Sequence, residues 1–457
     1  MYRKDAIVVG EWIRNSNKAL LVTGARQTGK TWLIRDEIEK SGYTKFELNF
    51  IDQPDMVSYL NAEMSAEVFL IKLKMIMPED CKVHETVVFF DEIQKCPEIV
   101  TKIKFLVDEG SFKYVMSGSL LGVELKGIAS APVGYLTVLR MYPMDFEEFM
   151  VANNVSTTTL DMLEDKFKTV SPIEEFIHQK LLAMFFVYLI VGGMPDAVKT
   201  YIETKDIREV DRVQRDITTL YKEDFSQYEL EDRKLKLKSI YDIIPAELDK
   251  QNKKFVFTML NKELKFERYE NSFLWLKDAG VALPVYNVDA PVIPLLASKS
   301  SNVFRLFSSD IGLLTSAYPA ETKIELINKN GEVNNGAHFE NAVAQQLTAN
   351  GFEPFFCKKK NIGEMDFAIE MNGKVVPIEV KSGKTYKSHK ALDNFMKVPD
   401  YHLEKAYVFS VGNIETEGNI IYLPIYMCYL LREQKLGQMI VELDTEEIGR
   451  ASCRERV

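Results

Sequence analysis

Residues 19–31, ALLVTGARQTGKT, decide the fold of the N-terminal part of the chain. The first four residues form the short apolar run expected of a buried strand, and a helix-like segment, WLIRDEIEK, follows. The spacing Gly-x-x-x-x-Gly-Lys-Thr between them predicts a phosphate-binding loop, in which Lys30 reaches the β- and γ-phosphates and Thr31 ligates magnesium. The residues expected to contact the nucleotide are Gly24, Ala25, Arg26, Gln27, Thr28, Gly29, Lys30 and Thr31.

Composition limits the classes of protein that this chain can belong to. A hydrophobic fraction of 46% and a charged fraction of 27% over 457 residues predict two to four globular domains. The net charge of −10 argues against a protein that coats nucleic acid, although a local basic face could still bind it. Five scattered cysteines without CxxC pairs favour reduced thiols in a cytoplasmic protein. The most apolar run, at 181–191, is shorter than the roughly 20 residues of a membrane span, so no membrane partner is expected.

Strand-like runs alternate with helix-like stretches through the first 140 residues. The five runs lie at 19–22, 46–50, 86–90, 114–116 and 135–139. This rhythm predicts a parallel sheet with helices on both faces. Ligands of such sheets bind at the carboxyl ends of the strands, so the informative side chains should follow each run directly.

Polar side chains do follow the third and fourth runs. In FFDEIQ, Asp91 stands at a strand tip, where it can hold magnesium through water, and Glu92 can orient the attacking water. An acidic pair is common at strand ends, and it gains weight here only because a phosphate loop precedes it. After the fourth run, either Ser117 or Ser119 offers a hydroxyl to the γ-phosphate, unless it merely caps the next helix.

Five motifs together resemble the prokaryotic AAA-type ATPases that carry a C-terminal domain of unknown function. They are GARQTGKT, FFDEIQ, SGSLLG, YPMDFEEF at 142–149 and GGMP at 192–195. The resemblance extends to about Met427 and implies an additional-strand P-loop core that uses ATP and Mg²⁺, with Ser119 as the sensor residue. Sites of this family often borrow an arginine from a neighbouring subunit, so the resemblance also implies a homo-oligomer.

Two further regions follow the predicted ATPase core. Residues 146–232 have a helical pattern, and their position indicates a lid over the nucleotide. Arg212 and Arg215 in this region, and Arg140 after the fifth strand, could approach a phosphate, but for the first two a solvated helix face is the simpler interpretation. In residues 233–330, three helix-like segments and then GVALPVYNV resemble a winged helix, a fold that binds DNA or protein. The segment FRLFSSDIGLL at 304–314 is interpreted as core packing.

The last predicted domain covers residues 331–446. The segment HFENAVAQQLTANG predicts a helix with an apolar stripe beside Glu340, and MDFAIEMNGKVVPIEVKSG predicts a hairpin that turns at Asn372-Gly373. The acidic and basic residues of this region resemble those of the PD-(D/E)XK nuclease fold. The matching positions are Glu340, Asp366, Glu379 and Lys381. Residues 447–457 resemble a translated sequencing adapter and are excluded as a non-native tail.

The hairpin turn fixes which side chains oppose each other. If the turn is tight, the residue numbers of every cross-strand pair sum to 745, so Asp366 opposes Glu379 and Lys381 lies on the same face. Two carboxylates held so close usually require a cation between them. We therefore predict magnesium bound by Asp366 and Glu379, with Glu340 reaching in. The alternative is that Lys381 alone neutralises the pair in a structural cluster.

The predicted fold is thus α/β, with a P-loop core at 1–145, a helical lid, a winged-helix-like domain and a restriction-endonuclease-like domain. Two functions remain open. In the first, ATP hydrolysis drives DNA binding or metal-dependent cleavage. In the second, the chain is an ATP-dependent switch whose nuclease-like domain binds nucleic acid or protein without cleaving. Eight lysines against four acidic residues between 357 and 391 favour DNA modestly, although a solvated lysine face is equally ordinary.

Overall fold

Two β-sheets organise the chain in the computed structural model, which describes residues 1–61, 65–119, 134–227, 231–250, 255, 270–328, 335–383 and 385–433. The N-terminal sheet has five parallel strands in the order β2-β3-β4-β1-β5. They are β1 (Ala19–Thr23), β2 (Thr44–Asn49), β3 (Thr86–Asp91), β4 (Lys113–Gly118) and β5 (Leu136–Arg140). The predicted parallel sheet is confirmed, and each strand end lies within two residues of its predicted position.

Helices cover both faces of this sheet, as the alternation predicted. They are α1 (Asp5–Asn15), α2 (Lys30–Ser41), α3 (Pro54–Asn61), α4 (Ala66–Ile76) and α5 (Glu98–Glu109). Leu20 and Val22 of β1 pack with α1 and α2 on one face, whereas Ala19 and Leu21 pack with α4 and α5 on the other. Because β1 is buried on both faces, its sequence is a continuous apolar run rather than an alternating one.

A helical pattern was predicted at 146–232, where the role as a lid stays a prediction. The described residues of the region between the two sheets are mainly helical. Its helices are α6 (Phe146–Ala152), α7 (Thr157–Thr169), α8 (Glu175–Val191), α9 (Pro195–Thr204), α10 (Ile207–Gln227), α11 (Glu231–Leu248) and α12 (Glu270–Asp278). Asp145 and Glu148 form a capping box that begins α6. The long apolar run lies in α8, which is buried in the largest core of the molecule. Within the described ranges, every helix is too short or too polar to cross a lipid bilayer.

The second sheet has eight strands, which form both parallel and antiparallel pairs, in the order β12-β13-β11-β10-β9-β8-β6-β7. The strands are β6 (Ala282–Val288), β7 (Lys299–Ser308), β8 (Phe355–Lys359), β9 (Gly363–Met371), β10 (Lys374–Val380), β11 (Ala406–Ser410), β12 (Glu415–Glu417) and β13 (Ile420–Pro424). The accompanying helices are α13 (Ile311–Ser316), α14 (Ala320–Ile327), α15 (Gly336–Ala349) and α16 (Lys390–Met396).

The predicted winged-helix-like domain at 233–330 differs from the structure in one respect. Its hairpin, β6–β7, is the edge of the C-terminal sheet, because β6 pairs in parallel with β8 through Tyr286 and Phe355. The hairpin is therefore not a separate wing, and the boundary predicted at residue 330 falls within one sheet. The second predicted helix, KFVFTMLNKEL, lies outside the described residues except for Phe255.

The hairpin β9–β10 has the predicted register. Every pair from Met371 and Lys374 to Phe367 and Ile378 has residue numbers that sum to 745. The two turn residues, Asn372 and Gly373, have φ angles of 52° and 73°, as a tight hairpin turn requires. Since the turn sets the register, local sequence was sufficient to predict this part of the sheet.

Candidate functional site

A cavity of about 840 Å³ opens at the carboxyl ends of the N-terminal strands. Its wall combines the phosphate loop and strand ends with lid helices α6 and α9 and the first three residues of the chain. The lining residues are Met1, Tyr2, Arg3, Arg26 to Trp32, Arg35, Asp91, Glu92, Ser117, Ser119, Val151, Ala152, Pro195, Asp196, Lys199 and Ile202. The structure therefore brings the side chains of the predicted nucleotide site to one place.

Two glycines give the loop its shape. Gly24 and Gly29 have φ angles of 139° and 90°, which side-chain-bearing residues rarely adopt. A Cβ atom on Gly24 would also lie 2.1 Å from the carbonyl oxygen of Met141. Gly29 is the residue immediately before α2, so the helix N-terminus faces the cavity.

Lys30 points into the loop. Its Nζ donates to the carbonyl oxygens of Gly24 and Ala25, at 3.1 and 2.7 Å. Burial lowers the pKa of Lys30 to about 8, although the carboxylates of Glu92 and Asp91 oppose this shift. An anionic phosphate beside the ammonium would stabilise its charged form, so the site favours such a ligand.

Among the described residues, the hydrogen-bond donors to Asp91 are neutral. The hydroxyl of Thr31 lies 3.1 Å from its Oδ2, the amide nitrogen of Asn49 lies 3.2 Å from the same atom, and Ser117 donates to its Oδ1. Asp91 is buried, and these contacts orient its carboxylate without cancelling its charge. An oriented carboxylate beside a threonine hydroxyl fits a hard cation such as Mg²⁺, which Thr31 and Asp91 would hold.

Glu92 has an unusual backbone conformation. Its φ angle is 55°, its N–H donates to Oδ1 of Asp91 at 3.1 Å, and Gln94 donates to its carboxylate. A left-handed non-glycine residue costs free energy and often occurs at functional sites. The Glu92 side chain lies at the cavity wall. The supporting role of Gln94 was not predicted, although the residue stands in the quoted FFDEIQ motif.

The two candidate serines differ in their contacts. The Ser117 hydroxyl donates a hydrogen bond to Asp91, whereas the buried Ser119 hydroxyl has no hydrogen-bond partner in the described part of the chain. Both line the cavity. The free hydroxyl is the one able to bond a ligand, which favours Ser119 as the sensor.

The predicted candidate arginines lie away from the cavity. Arg212 and Arg215 are exposed and pair with Glu209 and Asp211 of their own helix, at 2.7 and 2.9 Å, as the solvated-face interpretation expects. Arg140 donates to the carbonyl oxygen of Lys277 at 2.6 Å. Three other arginines, Arg3, Arg26 and Arg35, line the cavity instead. Arg3 donates to the carbonyl oxygens of Thr28 and Tyr142, at 3.1 and 2.6 Å.

The motifs GGMP and SSDIG form one buried junction. Asp310 accepts from the backbone N–H groups of Gly193 and Leu313, at 2.6 and 2.9 Å, while Met144 N–H donates to the Gly193 carbonyl at 2.7 Å. A Cβ on Gly192 would lie 2.3 Å from the Asp310 carboxylate, so only glycine allows this approach. Burial raises the pKa of Asp310 to about 6. The interpretation of FRLFSSDIGLL as core packing was therefore incomplete, because Asp310 joins the lid to the C-terminal region.

A second cluster of charged residues lies at the end of the hairpin β9–β10. Here the structure brings together Glu340, Asp366, Glu379 and Lys381, the four positions that the nuclease resemblance singled out, and adds Arg305 of β7. Arg305 lies 3.2 Å from Glu340 and 3.7 Å from Asp366 and also contacts Glu364. Only 2% of its side chain is exposed. Sequence analysis missed Arg305 because it belongs to the FRLF segment, far along the chain from its partners.

The charges of this cluster nearly balance. Lys381 lies 2.7 Å from Glu379 and Lys358 lies 2.6 Å from Glu364, so three cations face four carboxyl groups. Burial and the neighbouring Asp366 raise the pKa of Glu379 to about 8. This shift outweighs the opposing effect of Lys381, and a protonated Glu379 balances the cluster.

The predicted magnesium ion does not fit this cluster as it stands. Arg305 already contacts two of the expected carboxylates. No group of three or more His, Cys, Asp or Glu residues in the described ranges could hold a metal ion. The alternative of a structural ion-pair cluster is closer to the observed arrangement, but Arg305 supplies charge in addition to Lys381.

The lysines between residues 357 and 391 form a less basic surface than their number suggests. Four of them, Lys358, Lys374, Lys381 and Lys387, pair with carboxylates. An open groove of about 830 Å³ is nevertheless lined by Lys358, Lys359, Lys360 and Lys390. Lys384 lies outside the described residues.

Comparison with known proteins identifies the N-terminal domain. Residues 16–150 match a family model described as an AAA domain, and residues 183–324 and 335–428 match two domains of unknown function, DUF8612 and DUF4143. Comparison with curated proteins finds no match.

Comparison with solved structures finds distant similarities. The Walker-type ATPase PABY2304 of Pyrococcus abyssi has 14% identity over 69% of this chain and 95% of its own, with a TM-score of 0.40. AMPPCP-bound DnaA from Aquifex aeolicus has 12% identity over 61% of this chain and 89% of its own, with a TM-score of 0.29. Likenesses this distant carry no weight for function. Residues 16–150 thus match the AAA domain model, and their phosphate loop and strand ends line a cavity as a P-loop nucleotide site requires.

Proposed function

We propose that this protein is an ATP-hydrolysing switch, in which nucleotide turnover at the N-terminal domain controls binding of DNA by the C-terminal region. The observation that carries the ATPase part is Asp91, whose buried carboxylate is oriented by neutral donors beside Thr31. A buried carboxylate oriented in this way beside a threonine hydroxyl suits the magnesium of a Mg²⁺–ATP complex.

Each residue of the site has a defined task in this proposal. Lys30 binds the β- and γ-phosphates, Thr31 and Asp91 hold magnesium, and Ser119 bonds the γ-phosphate. Bound magnesium supplies neutralisation of charge on the phosphate oxygens. Glu92 accepts a hydrogen bond from the attacking water and orients it. A cavity of about 840 Å³ is large enough for a ligand of this size.

A chain of contacts supports communication with the C-terminal region. Pro195 lies 3.6 Å from the Cβ position of Gly29 in the loop, and two residues earlier Gly193 donates to Asp310. The neighbouring Ile311 N–H donates to Gln345 of α15 at 2.8 Å. The same helix carries Glu340 of the charged cluster. Movement of the lid would therefore reach the cluster through hydrogen bonds between backbone N–H groups and the side chains of Asp310 and Gln345.

Binding without cleavage is the favoured role of the C-terminal region, because Arg305 occupies the place of the cation that cleavage would need. The lysine-lined groove beside the cluster suits a phosphate backbone. Metal-dependent cleavage is the second candidate, and it would require Arg305 to leave its carboxylates. Homo-oligomerisation also remains a prediction, and a rise in ATPase rate per subunit with protein concentration would support it.

The test is Mg²⁺-dependent ATPase activity, measured with Lys30→Ala and the matched control Lys40→Ala. Lys40 lies on the same helix but is exposed and pairs with Asp36 at 2.6 Å. We expect Lys30→Ala to lose turnover by roughly a hundredfold or more, because phosphate binding and transition-state charge stabilisation are both removed. Lys40→Ala should retain the wild-type rate. Wild-type protein without ATPase activity would reject the proposal, and gel-shift titration of duplex DNA with and without ATP tests its second part.

A further inference from the structure

We infer that Arg26 is a phosphate-sensing arginine supplied within the same subunit, with Asp224 of α10 and the terminal phosphate of ATP as alternative partners of its guanidinium. This inference rests on the proposed ATPase function. It gives the site a cationic side chain beyond Lys30, from the phosphate loop itself rather than from a neighbouring subunit.

The guanidinium of Arg26 stands between the cavity and a lid helix. Its Nη1 lies 2.6 Å from Oδ1 of Asp224, and the same side chain lines the nucleotide cavity. About a third of the Arg26 side chain is exposed, whereas only 6% of the Asp224 side chain is. Arg26 therefore has room to rotate, and Asp224 does not.

The backbone of Arg26 is fixed independently of its side chain. Tyr221, one helical turn before Asp224, donates its hydroxyl to the Arg26 carbonyl oxygen at 3.0 Å. The helix α10 thus contacts Arg26 at two points, one rigid and one ionic. The side chain can exchange partners without displacing the loop.

Arg26 lies at the end of the loop where the terminal phosphate is expected. The ammonium of Lys30, which serves the β- and γ-phosphates, lies 2.7 Å from the carbonyl oxygen of Ala25, the residue before Arg26. Burial is the main cause of the lowered pKa of Lys30 and of the raised pKa of Asp224; the charge of Arg26 adds to the first shift and that of Glu92 to the second. Arg26, Lys30, Asp224 and Glu92 therefore act on one another within a single site.

The exchange of partners favours ATP over ADP. A guanidinium binds phosphate through paired charge-assisted hydrogen bonds, and only ATP offers a phosphate at this position. When Arg26 leaves, Asp224 remains buried without its cation, which is unfavourable. Asp224 therefore opposes ATP binding. When the γ-phosphate binds Arg26, the ion pair with Asp224 is lost, and this changes the charge on α10.

The experiment measures binding of ADP and of a non-hydrolysable ATP analogue by calorimetry on the full chain. The variants are Arg26→Ala, Arg26→Lys, Asp224→Asn and the double variant Arg26→Ala/Asp224→Asn. We expect Arg26→Ala to weaken binding of the analogue by roughly tenfold and to leave ADP binding unchanged. Arg26→Lys should recover part of the loss. Asp224→Asn should tighten binding of the analogue severalfold, and the double variant should resemble Arg26→Ala.

A merely structural ion pair gives a different pattern. In that case Arg26→Ala and Asp224→Asn would change binding in the same direction, equally for ADP and the analogue, and would overturn the inference. If Asp224 acted only by repelling ATP, the double variant would bind the analogue more tightly than Arg26→Ala, which also contradicts it. Arg215→Ala removes an exposed ion pair on the same helix and serves as the control. Wild-type protein that binds neither nucleotide would instead reject the proposed function itself.

Discussion

The two carboxylate clusters of this chain differ in what surrounds them. At the nucleotide site, Asp91 accepts hydrogen bonds from neutral hydroxyl and amide groups, and a cavity of about 840 Å³ lies beside it. In the C-terminal cluster, the carboxyl groups contact Arg305 and lysine side chains. Similar acidic residues at strand ends are thus in opposite electrostatic conditions. The partners of a carboxylate decide whether it needs an external cation.

The largest effect is expected at the nucleotide site, on the ATP turnover of a Glu92 variant. In Glu92→Gln the side chain keeps its shape but loses the charge that orients water, so turnover should fall roughly 10²- to 10⁴-fold while ATP still binds. Steady-state ATPase rates and ATP calorimetry separate these two quantities. The control is Glu98→Gln, since Glu98 is an exposed acidic residue six positions later. Hydrolysis by Glu92→Gln at the wild-type rate would show that another group activates water.

The next largest effect concerns Arg305. It tests whether this arginine is what distinguishes the carboxylates of the C-terminal cluster from Asp91. Removing a buried cation leaves its carboxylates uncompensated, so Arg305→Gln should cost about 3–5 kcal/mol of unfolding free energy. We also expect millimolar Mg²⁺ or Mn²⁺ to raise the Tm of this variant, because the freed carboxylates would then bind a cation, whereas the wild-type cluster would not.

Three further variants show whether the rise in Tm comes from metal bound at this cluster. Arg305→Gln/Asp366→Asn should lose the metal-dependent rise in Tm, which assigns the rise to this cluster. Arg208→Gln removes an exposed arginine that pairs with Asp206, and its Tm should equal that of the wild type. A metal-dependent rise already present in wild-type protein, and lost in Asp366→Asn alone, would instead support the magnesium site predicted from the sequence.

Sequence patterns correctly predicted those parts of the structure that depend on interactions between residues close together in the chain. The glycine spacing of the phosphate loop, the alternation of strands and helices and the turn at Asn372 each act over a few residues. The side chains that complete the two sites come from far along the chain. Arg305 is 61 residues from Asp366, and Arg26 is 198 residues from Asp224. No periodicity encodes such pairs, because they depend on how helices and sheets pack rather than on how each one forms.

The same limit applies to the boundary predicted at residue 330, which the second sheet spans. The apolar segment GVALPVYNV contains strand β6, whose partner strand β8 begins at Phe355, beyond the predicted boundary. Strand pairing across an intervening helix leaves no mark in the sequence of either strand. In the sequence, the edge hairpin of the C-terminal sheet therefore resembled the wing of a separate winged-helix domain.

The last expected effect builds up gradually with pH and tests the charge balance of the C-terminal cluster. The pKa of Glu379 is about 8 in the folded chain, above the ordinary value of 4.5 that applies after unfolding. Between these values the folded state holds a proton that the unfolded state has lost, so this group makes stability fall as pH rises from about 5 to 8, by at most about 1.4 kcal/mol per pH unit. In Glu379→Gln the side chain is always neutral, and this loss should disappear.

The measurement is urea unfolding at several pH values for wild-type protein and Glu379→Gln. The variant should gain stability relative to the wild type as pH rises through this window, and the difference should level off below pH 4.5. Asp310, whose pKa of about 6 acts in the same direction, is unchanged in both proteins and cancels in the comparison. If the difference stays constant with pH, Glu379 is ionised throughout as the partner of Lys381. The cluster would then carry an excess negative charge, and the case for an external cation at this site would be restored.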